Sequence, residues 1–164
     1  LVSQLLRDFA GGNIYLDTML PYALLRGIDE QVRLFFERIE AGEIQAYTSV
    51  LTFDELAYRL ILALVGERYG GSPLEVLREQ EVTVLREIVP PVRMALEELS
   101  RLPNFHVVEV AVDDLFVMTE SMERYQLRPR DALHYAVMVR LGCLHVASTD
   151  RHFDRIPHLT RYVP

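Results

Sequence analysis

The chain has 164 residues, half of them hydrophobic and a quarter charged, with a formal net charge of −7, which suits a single domain over residues 1–164 with one sizeable core. Its apolar runs are too short or too interrupted to span a bilayer, and the acidic sum argues against wholesale, non-specific nucleic-acid binding while leaving local basic patches open. All 17 basic residues are Arg, which excludes chemistry that needs a Schiff-base, P-loop or receiver-domain lysine.

Leu1 to Ala10 reads as a short helix or arm, broken by Gly11-Gly12. A first strand follows from about Asn13 to Leu16 and ends at Asp17. Leu20 to Arg26 reads as a short helix, and Gln31 to Ala41 as an amphipathic one with Val32, Phe35, Phe36 and Ile39 on one face and Gly42 as its stop. A second strand, Ile44 to Thr48, leads into a helix from about Leu51 to Arg68, closed by Gly70-Gly71. Pro73 suits the first helical position, and the segment behind it is predicted helical to Val89, where Pro90-Pro91 should end or kink it. Val92 to Leu102 is then a further helix. Leu74, Leu77, Val84, Leu85 and Ile88 form the apolar side of this stretch, a helical insertion at about 72–102 that reads as a hairpin capping the core or as a partner-binding arm.

Phe105 to Val110 is a third strand, Val112 to Tyr125 and Pro129 to Leu141 are helices, and Gly142 closes the second of them. Leu144 to Ala147 forms a fourth strand and Thr160 to Val163 a short edge strand. Phe35, Phe36, Phe105 and Phe116 fall at core spacing. Strands alternating with helices predict an α/β fold, a three-layer α/β/α sandwich around a central, mainly parallel sheet of four to five strands.

In open α/β sheets, ligands bind outside the carboxyl ends of the strands, and four acids belong to that rim. Asp17 ends the first strand, Glu55 lies six residues after Ser49, Asp131 opens the segment Asp131-Ala-Leu-His134, and Asp150 follows Val146-Ala-Ser-Thr149. Each has an ordinary alternative: Asp17 as a helix cap, Glu55 as the i,i+4 partner of Arg59, Asp131 as an acid favoured by a helix dipole, Asp150 as a turn residue. Should they converge, charge decides the chemistry. Two carboxylates about 4 Å apart repel by roughly 4 kcal/mol at an effective dielectric of about 20, so four of them call for cations. Mg²⁺ or Mn²⁺ fits, because hard ions take oxygen ligands and no clustering of Cys and His points to structural zinc. Such ions activate water and stabilise the attacking and leaving oxygens of phosphodiester hydrolysis.

The expected metal ligands are Asp17, Asp131 and Asp150, with Glu55 as a further ligand or a water-orienting base, and with Thr18 and Ser148 hydrogen-bonding behind them. His134 reads as a helix-face packing residue, while His106, His145, His152 and His158 fall in strands and loops without metal-binding spacing; none is assigned catalysis. Arg128, Arg130 and Arg151, with Arg124 and Arg155, flank the two C-terminal acids. They suit contacts to the phosphates of a nucleic-acid strand or a solvated rim that balances the acids. The lone Cys143 cannot form an internal disulfide and no signal-peptide pattern opens the sequence, so a cytoplasmic setting is expected.

The stretch Leu127-Arg-Pro-Arg-Asp131-Ala-Leu-His-Tyr-Ala136, followed by Val146-Ala-Ser-Thr-Asp150-Arg-His-Phe-Asp154, resembles the PIN domain, the metal-dependent ribonuclease fold that includes the VapC toxins of bacterial and archaeal toxin–antitoxin pairs. It is similar to that family's Asp-Ala-Leu-His-like helix and the following strand with its Ser-x-Asp ending. Leu16-Asp17-Thr18 is similar to the family's first strand, and Ser49 to Glu55 to its Ser-x5-Glu helix start. The resemblance covers nearly the whole chain. It implies a Mg²⁺- or Mn²⁺-dependent endoribonuclease with Asp17, Glu55, Asp131 and Asp150 as catalytic residues, and Asp154 as an accessory acid or a helix cap. It also implies an RNA substrate, an antitoxin protein that blocks the site, and a homodimer. The stretch at 72–102 is longer than a compact toxin needs, which admits a stand-alone PIN nuclease. The rival of another class is a PIN-like non-catalytic binding or scaffold protein acting through a protein partner. A haloacid-dehalogenase-type phosphatase would need an acid at position 19, which is Met19.

Overall fold

The computed structural model describes residues 3–164. Among the described residues six strands form one sheet: β1 (Gln4–Leu5), β2 (Gly12–Leu16), β3 (Ile44–Ser49), β4 (Phe105–Val108), β5 (His145–Ala147) and β6 (Thr160–Val163), in the order β1-β6-β5-β2-β3-β4. Every pairing is parallel. The helices are α1 (Met19–Arg26), α2 (Glu30–Glu40), α3 (Val50–Tyr69), α4 (Pro73–Ser100), α5 (Asp114–Tyr125) and α6 (Pro129–Leu141).

Side chains alternate across a strand, so β2 sends Ile14 and Leu16 to one face and Tyr15 to the other. Ile14 and Leu16 pack with Leu20, Val32, Phe36, Leu56 and Val84, contributed by α1 to α4. Tyr15 and Val146 pack with Ala132, Val137 and Met138 of α6 on the opposite face. The result is the three-layer sandwich expected. Gly11 makes the entry to β2 possible: its φ is +119°, and a Cβ there would stand 2.9 Å from the Glu43 carbonyl oxygen. No helix among the described residues is long and apolar enough to cross a membrane.

Of the two readings of Leu1 to Ala10, a short helix or an arm, the described residues fit the arm. Leu1 and Val2 lie outside the described residues, Gln4 and Leu5 pair with Tyr162 and Val163, and Leu6–Asp8 form one 3-10 turn. Leu6 and Phe9 are buried. β1 covers the backbone groups that β6 would otherwise leave unpaired, so Thr160–Val163 is an interior strand, not an edge, and the sheet has six strands rather than four or five.

The prolines also behave otherwise than expected. α4 runs through Pro90 and Pro91, and its break in helical geometry falls at Gln80, with φ −136° and ψ 29°. Both prolines are exposed while Ile88 and Val92 on either side are buried. The carbonyls deprived of a donor therefore face water, and packing of the flanking turns against α3 holds the helix together. Leu74, expected on the apolar side, is exposed, as is Phe116, expected in the core. α5 turns Asp114 and Ser121 inward, seven residues apart, and that phase points Phe116 at solvent.

Candidate active site

The strand order makes β2 the point where the sheet changes direction: β3 and β4 are added on one side, β5 and β6 on the other. Such a switch point opens a crevice beyond the carboxyl ends of the strands. A cleft of ≈ 960 Å³ lies there, and Asp17, Glu55, Asp131 and Asp150 all line it.

Asp17 follows β2 directly, and its backbone N–H donates to the Ala147 carbonyl at 3.0 Å, carrying the β2–β5 pairing up to the acid. Its carboxylate is held from both sides: Thr18 N–H donates to Oδ1 at 2.7 Å and the Ser148 hydroxyl to Oδ2 at 2.6 Å. Glu55 is in the second turn of α3, which starts where β3 ends. It accepts a hydrogen bond from the Thr18 hydroxyl, and Arg130 Nη1, not the Arg59 of the ordinary alternative, lies 3.4 Å from its Oε1. Burial pushes the Glu55 carboxyl up, but the adjacent His134 ring, the Thr18 hydroxyl and the charge of Arg130 more than offset this, leaving it below the usual carboxylate value.

Asp131 sits in the first turn of α6, and Asp150 caps the 3-10 turn Arg151–Arg155, its Oδ1 accepting from His152 N–H at 2.8 Å. The Asp150 N–H donates to Ser148 Oγ at 2.9 Å, so one hydroxyl organises two of the acids. His152 Nδ1 stands 2.9 Å from Asp131 Oδ2 and 3.1 Å from Asp150 Oδ1. Burial raises the Asp131 carboxyl; His152 opposes this in part, while Asp150 and Asp17 push it further up, and the net direction is upward.

Two histidines given no role in the sequence reading thus stand among the acids. His134 is 1% exposed, with Nδ1 2.9 Å from the Tyr15 hydroxyl and Nε2 directed at Glu55 and Asp17. The available signals were spacings: His134 is one helical turn after Asp131, and His152 two residues after Asp150. Ligand atoms of Asp17, Glu55 and His134 lie within 4.8 Å of one another, as do those of Asp131, Asp150 and His152. Carboxylates and imidazoles converging this closely, with one carboxyl raised by its neighbours, form a donor set that fits a divalent cation.

Arg128, Arg130 and Arg151 line the cleft. Arg124 instead lies over the Tyr125 ring at 5.3 Å, and Arg155 donates to the Gln126 carbonyl. Asp154 is outside the cleft as well. Its two oxygens accept from Arg161 Nε and Nη2 at 2.7 and 2.8 Å, tying the 3-10 turn to β6.

No curated protein matches the chain by sequence. Among solved structures, VapBC2 from Rickettsia felis bound to a promoter DNA fragment is similar with a TM-score of 0.62 at 12% identity, over 92% of this chain and 98% of that one. A toxin–antitoxin complex from Klebsiella pneumoniae gives 0.55 at 18% identity, covering 90% and 95%. VapC20 from Mycobacterium tuberculosis, described as a sarcin-ricin loop cleaving toxin, gives 0.54 at 21%, covering 88% and 95%. At these identities the likeness is one of fold. The PIN domain family model matches residues 14–159, a span that runs from within β2 to the residue before β6 and holds all four cleft acids, and the chain accordingly belongs to the PIN domain family.

Proposed function

We propose that the chain is a metal-dependent endoribonuclease that hydrolyses RNA phosphodiester bonds, acting in the cytoplasm as the toxin of a VapBC-type toxin–antitoxin pair. The observation that carries this reading is the convergence of Asp17, Glu55, Asp131 and Asp150 in one cleft rimmed by Arg128, Arg130 and Arg151. Asp17, Asp131 and Asp150 would hold Mg²⁺ or Mn²⁺, with Glu55 as a further ligand or as the base that orients water. A bound ion of this kind supplies stabilisation of phosphoryl oxygens and a water acidic enough to lose its proton near neutral pH.

The chain's own residues do the rest. Thr18 and Ser148 hold the Asp17 carboxylate in a single orientation. Glu55, kept ionised by its partners, is suited to accept a proton or hydrogen bond from water. The guanidinium groups at the rim pair with phosphates on either side of the scissile bond and keep the strand in register. An antitoxin partner is supported by the shared fold of the Klebsiella toxin–antitoxin complex. A homodimer is supported by the exposure of Val112, just before α5, and of Phe116 in its first turn.

The test is cleavage of a single-stranded RNA by purified protein. Cleavage is expected with Mg²⁺ or Mn²⁺ and none with EDTA, and Asp17→Asn, Asp131→Asn and Asp150→Asn should each abolish it with the fold retained. Wild-type rates in all three variants would remove the assigned site, and a folded, metal-binding protein that leaves RNA intact would move the reading to a scaffold.

A further inference from the structure

Burying a polar ring is costly unless both nitrogens are served, and His134 is buried on α6. Its Nδ1 lies 2.9 Å from the hydroxyl of Tyr15, a side chain with no exposure of its own. The Tyr15 hydroxyl donates to Ser49 Oγ at 3.0 Å. With that proton committed, Nδ1 carries the ring hydrogen and donates to the Tyr15 oxygen, so Nε2 presents a lone pair. Nε2 faces the cleft, 3.4 Å from Glu55 Oε2 and 3.8 Å from Asp17 Oδ1. Both separations exceed the roughly 2.7–3.2 Å of a good N–H···O hydrogen bond. A donor would be drawn onto one oxygen; this nitrogen stands between two.

His152 differs. Its Nδ1 is at hydrogen-bond distance from both Asp131 and Asp150 and its side chain is partly exposed, which is the geometry of a donor clamping two acids.

Building on the cation-dependent reading above, we infer that His134 is a nitrogen ligand for the cation held by Asp17 and Glu55, positioned by Tyr15, and that the site therefore selects a first-row transition-metal dication such as Mn²⁺ or Co²⁺ over Mg²⁺. Imidazole adds affinity for the transition metals, whereas Mg²⁺ prefers oxygen ligands and keeps its waters. Tyr15 fills the place that a carboxylate or carbonyl takes behind many metal-bound histidines, fixing tautomer and ring orientation.

The test is pulsed electron paramagnetic resonance of the Mn²⁺-loaded protein together with calorimetric titration of Mn²⁺ and of Mg²⁺. Electron spin-echo modulation from a coordinated imidazole ¹⁴N is expected in the wild type and in H152Q, and is expected to vanish in H134Q. Mn²⁺ affinity should fall by about 10–100-fold in H134Q and in Y15F, with Mg²⁺ affinity changing by less, and Y15F should retain the ¹⁴N signal. A wild type without ¹⁴N modulation, an H134Q that keeps it, or an H152Q that loses it overturns the inference. Should H134Q not fold, the wild-type spectrum and Y15F decide, and unaltered Mn²⁺ affinity in Y15F overturns the positioning role. RNA cleavage measured alongside separates the two readings: a nuclease without nitrogen ligation sinks only this inference, and nitrogen ligation without cleavage sinks only the nuclease.

Discussion

Ser148 Oγ donates to Asp17 Oδ2 at 2.6 Å, joining the ends of β5 and β2 across 131 residues of sequence. The same oxygen accepts from the Asp150 N–H, so Ser148→Ala strips support from two acids at once in a fully buried position. A hydrogen bond to a charged group contributes about 1.5–3 kcal/mol, and urea unfolding of the variant should show a loss of that size. Divalent-cation affinity should fall by about 10–100-fold, as is usual when a group orienting a metal ligand is removed; titration calorimetry measures it, and unchanged values for both would deny the hydroxyl this role.

Mutual repulsion, which the sequence alone assigns to all four acids equally, is concentrated on Asp131. Asp17 and Glu55 have donors, whereas Asp131 is pushed up by burial, Asp150 and Asp17 with only His152 opposing. Asp131→Asn should therefore leave the protein at least as stable as wild type in EDTA at neutral pH, since the amide oxygen can still accept from His152. Mn²⁺ at about 100 times its dissociation constant should add roughly 2.7 kcal/mol to the wild type and much less to the variant. Asp17→Asn should behave oppositely in EDTA and lose stability, because Thr18 N–H and Ser148 lose a charged acceptor. Melting curves with and without Mn²⁺ compare all three proteins.

Away from the cleft, Asp114 accepts from Ala111 N–H at 2.8 Å and from Arg140 Nε and Nη2 at 3.0 and 3.1 Å. Burial raises its carboxyl, but Arg140 and the Ala111 N–H outweigh that and hold it below the ordinary aspartate value. A depressed folded pKa means that the unfolded chain binds the proton more readily. The pair's stabilisation is present above the unfolded value of about 3.9 and is lost as the pH falls from there through the folded pKa. Asp114→Asn should cost about 1–3 kcal/mol at neutral pH and flatten the loss of stability below about pH 4, as read from melts across pH 7 to 2. A variant with an unchanged acid limb would exclude the pair as its source.

Pro90 and Pro91 sit exposed inside α4. An interior helical proline costs about 3 kcal/mol relative to Ala, and its rigidity returns about 0.4–1 kcal/mol through the unfolded chain. Pro90→Ala and Pro91→Ala should each stabilise the protein by roughly 2–2.6 kcal/mol in urea unfolding. Destabilisation by either would mean that packing on α3 requires the proline geometry.

How much was legible in the sequence follows from how local each signal is. Val32, Phe35, Phe36 and Ile39 recur at helical spacing, and all four are buried on α2. Asp17 and Asp150 could be placed together because a parallel sheet brings the carboxyl ends of its strands to one rim, so finding two strand ends was enough. Glu55 and Asp131 followed because each lies in the early turns of a helix facing that rim. β1 was not legible, since a two-residue strand has no periodicity and forms only where β6 offers an open edge. Asp154 looked like one more acid of the cluster until Arg161, seven residues later, claimed both its oxygens. The histidines show the limit best: the sequence places His134 on the right helix, but which nitrogen meets the cleft is set by Tyr15, 119 residues away. Side-chain periodicity reports the face a residue occupies, whereas the direction of its lone pairs depends on hydrogen-bond partners that only the packed sheet and helices bring into reach.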